Sequence, residues 1–398
     1  MPRDPTRPAA AGSDPTASAE RPASLADAYR GVICDLDGVV YRGGDAVEGA
    51  PQALVRLKAE GLRIVYATNN ASRPPADVAA QLVSLGAPCD LDDVVTSAQA
   101  GAALLARALA PAVRVLALGG PGVAMALRAV GLTPVAPSAA DGDDIAAVLQ
   151  GLGRQLSVSD FEVAARHLTR GARWVASNLD ATFPLEWGIA PGNGAYVELL
   201  ASTTGRHPEV VGKPFPPLYL LATEALGTSP EQTLAIGDRL DTDIAGAGAA
   251  GVDCVWVLTG VDHPSSLFAA PDLLAPTQVV GALAELLEPA AEVAMTGSGD
   301  ERRWACGGVS VQIVMAPADD SRPRLQIDGI GRDAARPMDG VRAGLAALLA
   351  ARDDDRLPLA ELAHLSQSLD ALVPAARTGT VSAGGGPATP DEPAGGNP

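Results

Sequence analysis

The sequence predicts an α/β protein: a core on a parallel sheet, an α/β block inserted into that core, and a small α+β unit after it. Three observations carry the prediction. Apolar runs such as GVICDL, LRIVYATNN and TLAIGD recur between helical patterns for most of the chain, and unalternating apolar strands between helices belong to parallel sheets covered on both faces. Residues 111–180 hold enough of these units to build a small sheet of their own. After EPAAEVAMTGSGD, at 288–300, the pattern changes to adjacent strand-like runs followed by two helices.

Bulk properties bound the rest. The chain has 398 residues, which suggests roughly two or three domains. A hydrophobic content of 47% is that of a globular protein, and no stretch approaches the ~18 unbroken apolar residues of a membrane span. The formal net charge of −18 argues against nucleic acid or an anionic membrane as partner, since both need a basic surface. An acidic surface also repels anionic substrates, so any such substrate needs a local positive site. Cys34, Cys89, Cys254 and Cys306 lack CxxC spacing and are expected to be reduced, buried thiols of a cytoplasmic protein. His167, His207, His263 and His364 show no ligand spacing.

In chain order, residues 1–23 are Pro, Ala and Ser rich and lack the apolar core of a secretory signal; they are expected to be a disordered tail. Residues 24–90 open the core with GVICDL as strand, PQALVRLKAEG as helix and LRIVYATNN as strand. Residues 91–205 form the inserted block, in which VRVLALGG, DIAAVLQG and RWVASNLD alternate with GVAMALRAVG and DFEVAARHLTRG. Residues 206–290 resume the core with PPLYLLATEALG, TLAIGD, DIAGAGAAG and VDCVWVLTG. Residues 291–300 are expected to be a linker. Residues 301–374 supply WACGGVSVQIV and RLQIDGIG as strands, then GVRAGLAALLAAR and LAELAHLSQSLDALV as helices. Residues 375–398 are Gly and Pro rich and are expected to be a second disordered tail.

The chemistry begins where GVICDLDGVVY puts Asp35 and Asp37 at the end of an apolar run. Residues i and i+2 of a strand share a face, so both carboxyl groups can enter one site in the crevice where ligands meet open α/β sheets. Two close carboxylates repel and call for a cation. An all-oxygen supply suits a hard metal such as Mg²⁺; an ordinary Asx-type turn is the plainer alternative. Thr68, Asn69 and Asn70 end a second apolar run and can donate to phosphoryl oxygens or cap a helix. Lys213, between Gly212 and Pro214, is a rigidly flanked point charge. Asp238, Asp241 and Asp243 follow a further apolar run, as a second carboxylate group or an acidic helix start.

In their order, DLDGV, TNN, GKP and GDRLDTD resemble the motifs of the haloacid dehalogenase (HAD) superfamily of phosphatases. The long insert between TNN and GKP resembles its subfamily IIA, and the resemblance covers about residues 28–290. The unit that follows resembles the GNAT-like C-terminal domain of actinobacterial glycerol-3-phosphate phosphatases. The resemblance implies a Rossmann-like core with an inserted cap. It also implies a cytoplasmic, Mg²⁺-dependent phosphatase of a small phosphorylated metabolite, expected to be glycerol 3-phosphate. The alternatives are phosphoglycolate, pyridoxal phosphate, or a bifunctional protein with an acetyltransferase-like unit. By resemblance, Asp35 is the nucleophile that becomes an aspartyl phosphate and Asp37 the general acid and base. Mg²⁺ is held by Asp35, the Asp37 carbonyl and Asp238, with Asp243, or Asp241, ordering metal-bound water. Thr68, Asn69 and Asn70 bind the phosphoryl group and Lys213 offsets its charge. Asn178, Asp180 and Phe183 lie in the cap's return segment, where Phe183 is expected to touch substrate although some members carry a polar residue there. A homo-oligomer is compatible with all of this.

Two further motifs are set aside. The GxGxxG match at 246–251 does not directly follow a strand and reads as a helix face kept small for packing. Gln326 to Gly331 resembles the pyrophosphate loop of acetyltransferases, but the unit is about half their size; a packing or dimerisation module is the simpler reading. No residue matched to the mechanism lies beyond Asp243, so the phosphatase site is expected to stay chemically intact without the last unit.

Overall fold

The computed structural model describes residues 24–373 apart from 25, 141, 143, 186, 270–272, 290, 316–321 and 331–335. Both expected tails, 1–23 and 375–398, lie outside the described residues.

The core is a six-stranded sheet, all parallel. Its order is Gln278–Val280, Asp253–Val257, Thr233–Gly237, Gly31–Cys34, Arg63–Thr68, Val94–Thr96. The Gly31–Cys34 strand is buried throughout because it lies at the centre, between Thr233–Gly237 and Arg63–Thr68. One face of the sheet packs Val32, Cys34, Ile64 and Leu234 with Leu54, Leu57 and Leu82 from helices Ala50–Ala59 and Pro75–Ser84. The other packs Ile33, Val65 and Ala235 with Leu218 and Tyr219 from helix Pro216–Leu226. Proline in the first turn of all three helices suits a position that needs no backbone donor.

The cap is a second sheet, ordered Glu209–Val210, Arg173–Ala176, Ala147–Gln150, Arg114–Leu118, Thr133–Val135. Helices Val158–Thr169 and Asn193–Thr204 cover one face. The strands place the division between the blocks later than expected at both ends. Val94–Thr96 pairs with Tyr66–Thr68 in the core, and Glu209–Val210 pairs with Val175–Ala176 in the cap. Both are short edge strands beside chain crossings, where local sequence says little about the sheet they join.

The last unit is an antiparallel four-stranded sheet: Ala294–Thr296, Arg303–Cys306, Val309–Val314 and Arg324–Asp328. Helices Pro337–Asp353 and Leu359–Asp370 pack on it. Val309–Val314 alternates buried and half-buried residues, as a strand with one face on a core should. Residues 294–296 belong to this sheet as an edge strand, so the expected linker is partly structured. Helix Pro337–Asp353 meets the Gln278–Val280 edge of the core sheet, where Arg342 donates from Nε to the Val279 carbonyl at 2.8 Å. No helix among the described residues is long and apolar enough to cross a membrane.

Candidate active site

The site forms at the carboxyl ends of three adjacent core strands. Gly31–Cys34 delivers Asp35, whose N–H continues the ladder to the Ile236 carbonyl at 2.9 Å. Thr233–Gly237 delivers Asp238 and then a wide, π-helical turn, Leu240–Ile244, carrying Asp243. Arg63–Thr68 delivers Thr68. Oxygens of Asp35, Asp238 and Asp243 lie within 4.8 Å of one another. Lys213 Nζ stands among them, 2.5 Å from Asp35 Oδ1 and 2.8 Å from Asp243 Oδ1.

Packing forces this crowding. Gly237 has no Cβ, and one would lie 2.1 Å from the Asp243 Cβ. Gly38, at φ +83°, leaves room for Asp238: a Cβ there would meet Asp238 Oδ2 at 2.5 Å. The Val261 N–H donates to Asp238 Oδ2 at 2.7 Å. Asp238 Oδ1 is buried and has no hydrogen-bond partner. A buried carboxylate oxygen without a donor is costly, and here it faces two further acids. One ammonium serves three carboxyl groups, so the cluster is short of positive charge. These oxygens fit a hard cation such as Mg²⁺, which prefers oxygen ligands.

The electrostatics agree. Burial drives the Asp35 carboxyl well above its usual range, with Asp243 and Asp238 adding to the rise and Lys213 opposing it. Burial and then Asp243 push Asp238 up to about 7. Burial works to lower Lys213, but Asp243 and Asp35 outweigh it and hold the ammonium firmly charged. Asp37 lies at the mouth of the cleft with solvent access; the surrounding protein still raises its carboxyl, against Lys213 and Arg73.

The other expected site residues divide. Thr68 is buried and its Oγ1 accepts from Asn70 N–H at 3.1 Å, which leaves its own proton to donate. Asn69 does not present its side chain as a free donor. Its Oδ1 accepts from Lys213 N–H at 2.7 Å, and its Nδ2 donates to the Lys213 carbonyl at 3.2 Å and to Asp180 at 3.4 Å. Asn70 Oδ1 accepts from Ser72 N–H and Oγ at 3.0 and 2.7 Å. Asp241 turns away, paired with Arg239 at 2.9 Å, so Asp243 is the acid that joins the cluster. Phe183 lies in a hairpin, Thr182–Leu185 with Gly188–Pro191, opposite Ala190. The sequence did not reveal this hairpin. The cap reaches the cluster's surroundings through Asp180 at its base and through Asn178, whose Nδ2 donates to the Asn69 carbonyl at 2.7 Å.

Sequence reasoning also missed the loop 259–262. Thr259 Oγ1 donates to the Gly38 carbonyl at 2.8 Å, and Asp262 Oδ2 accepts from Leu240 N–H at 2.7 Å. Main-chain donors leave no residue-type signal. Gly260 was the one clue, because a Cβ there would lie 1.7 Å from Asp238 Oδ2.

Two family models and several known proteins match the chain. The haloacid dehalogenase-like hydrolase family model matches residues 32–133, and a HAD-hydrolase-like model matches 210–286. A D-glycerol 3-phosphate phosphatase of Mycobacterium tuberculosis is 43% identical over 257 residues, 64% of this chain and 70% of that protein. The 5'-nucleotidase YutF of Bacillus subtilis is 34% identical over 257 residues, 65% of this chain and 97% of that protein. A crystal structure of a glycerol phosphate phosphatase from M. tuberculosis with magnesium superposes with a TM-score of 0.70 at 34% identity, covering 88% of this chain and 99% of that one.

Proposed function

We infer the roles of these residues for a chain that belongs to the haloacid dehalogenase-like hydrolases and is a Mg²⁺-using phosphatase of small phosphorylated substrates. The observation that carries the reading is the cluster of Asp35, Asp238 and Asp243 around Lys213, with one buried oxygen of Asp238 left unpartnered.

Asp35, its Oδ1 tethered to Lys213, attacks phosphorus. A bond forms between its carboxylate and phosphorus while the bond to the alcohol oxygen breaks. Asp37, with a carboxyl raised by its surroundings, gives its proton to that oxygen. The ionised Asp37 then takes a proton from water, which attacks phosphorus, frees Asp35 and releases phosphate. Two easier steps replace one hard one. Asp35, Asp238 and the Asp37 carbonyl would hold Mg²⁺, with Asp243 beside them. When bound, the ion supplies the positive charge that lets an anion approach this acidic site. Lys213 offsets charge on the phosphoryl oxygens, and Thr68 donates to one of them. Asn69 acts chiefly through Lys213, holding its backbone at both N–H and C=O. The cap excludes water and contacts the alcohol part of the substrate.

The substrate we assign is glycerol 3-phosphate, supported by the similarity to the glycerol phosphate phosphatases of M. tuberculosis. The likeness of the last unit to acetyltransferases rests on the loop Gln326 to Gly331 between a strand and a helix. Part of that loop, 331–335, lies outside the described residues. A Cβ at Gly329 would meet the Gly308 carbonyl at 2.3 Å, so packing accounts for that glycine, and we read the unit as structural. A panel of phosphomonoesters assayed with Mg²⁺ tests the assignment: kcat/KM should be highest for glycerol 3-phosphate. A preference of tenfold or more for a 5'-nucleotide or phosphoglycolate would replace it.

A further inference from the structure

The loop that shapes Asp238 is held from its far side by the last unit. Residues 259–262 fix the site through the Val261 N–H on Asp238 Oδ2, the Thr259 hydroxyl on Gly38 and the Asp262 carboxylate on Leu240 N–H. The chain then runs directly into the short turn Pro264–Phe268, whose Leu267 and Phe268 are buried in the core. Helix Leu359–Asp370 ends on this turn. Asp370 Oδ1 accepts from the Ser265 N–H at 2.9 Å and Oδ2 from the Ser265 hydroxyl at 2.6 Å. The same unit is anchored elsewhere by Arg342 on the Val279 carbonyl and Arg352 on the Leu273 carbonyl. The Asp370 carboxylate therefore arrives on a body already fixed to the core.

We propose that Asp370 is a positioning residue for the metal site, acting through Ser265 and the 259–262 loop on Asp238, so that the C-terminal unit supports the phosphatase centre. The physical argument is orientation. Val261 engages one oxygen of Asp238 and so determines which oxygen is left for a cation. If the turn loosens, that amide loosens with it, the carboxylate rotates more freely and the ligand oxygen is less well aimed. The inference rests on the reading of Asp238 as a Mg²⁺ ligand.

The test uses the full chain, stripped of metal with EDTA, dialysed, and titrated with Mg²⁺ by calorimetry. Asp370→Ala should still melt cooperatively but bind Mg²⁺ about fivefold more weakly, less than the 10–100-fold typical of direct outer-shell partners. Asp370→Asn should bind nearly as wild type, because its carbonyl still accepts from the Ser265 N–H and its amide can donate to the hydroxyl. Ser265→Ala, which removes one of the two bonds, should give a smaller loss in the same direction and substitutes for Asp370→Ala should that variant not fold. Asp238→Asn should show no binding heat. Wild-type affinity in both Asp370→Ala and Ser265→Ala would overturn the positioning role, as would an Asp370→Asn as weak as the alanine variant. Wild-type binding by Asp238→Asn would instead overturn the ligand reading beneath it.

Discussion

Two buried charge clusters in this chain use the same kinds of residue and differ in how they are satisfied. Around Arg342, Nε meets the Val279 carbonyl, one terminal nitrogen meets Asp339 and the other Glu285. The second oxygen of Glu285 accepts from Gly281 N–H at 3.0 Å, and that of Asp339 from Arg336 N–H at 3.4 Å. Around Lys213, three carboxyl groups share one ammonium and Asp238 Oδ1 has no donor. The first cluster is complete by itself and joins the last unit to the core. The second is complete only with something the chain does not supply. An incomplete buried cluster costs stability, and such costs are retained where chemistry needs them.

The comparison breaks most visibly in opposite directions on mutation. Asp35→Asn should lower kcat by more than about ten-thousandfold, the scale of removing a nucleophile, while leaving the metal-free melting temperature unchanged or raised. A lowered melting temperature would mean that Asp35 stabilises the fold, contrary to the reading of a crowded site. Arg342→Ala should do the reverse, removing about 3–5 kcal/mol of stability because the buried Asp339 and the half-buried Glu285 are left without their cation. Chemical denaturation measures it, and a loss under 1 kcal/mol would contradict the contrast.

Smaller effects sharpen it. Asp37→Asn should reduce turnover of glycerol 3-phosphate about 10²–10³-fold, within the usual range for a general acid. The loss should be smaller for p-nitrophenyl phosphate, whose leaving group needs little protonation. Equal losses would remove the acid role. The smallest effect is in pH. Burial and then Asp243 push the Asp238 carboxyl up to about 7, from about 4 for an ordinary Asp, so its contribution to stability is present below about pH 4 and is lost as pH rises through 7. Mg²⁺ competes with that proton. The rise in melting temperature on adding Mg²⁺ should therefore be a few degrees larger at pH 8 than at pH 5.5, and an equal rise would count against the ligand role of Asp238.

Much of this was legible in the sequence because the strands that carry the site are fully apolar and end in charge. GVICDLD and TLAIGD leave Asp35 and Asp238 no plausible place except beyond a strand end, and their strands are neighbours. Lys213 was legible by its rigid flanks. Asn69 was read as a phosphoryl donor because its residue type permits it, but nothing local shows that its amide meets the Lys213 backbone 144 positions away. The same holds for Val261 and Asp370, whose contributions arise from tertiary approach. Short edge strands such as Val94–Thr96 and Ala294–Thr296 carried too few residues to reveal their sheet.

The central claim is that Asp35 becomes covalently phosphorylated in a Mg²⁺-dependent cluster. The direct measurement is a rapid acid quench of the enzyme turning over radiolabelled glycerol 3-phosphate, followed by peptide mapping. The account predicts label on the peptide containing Asp35 in wild type with Mg²⁺, and none with EDTA or in Asp35→Asn. Sustained turnover by Asp35→Asn, or label carried on another residue, would contradict it.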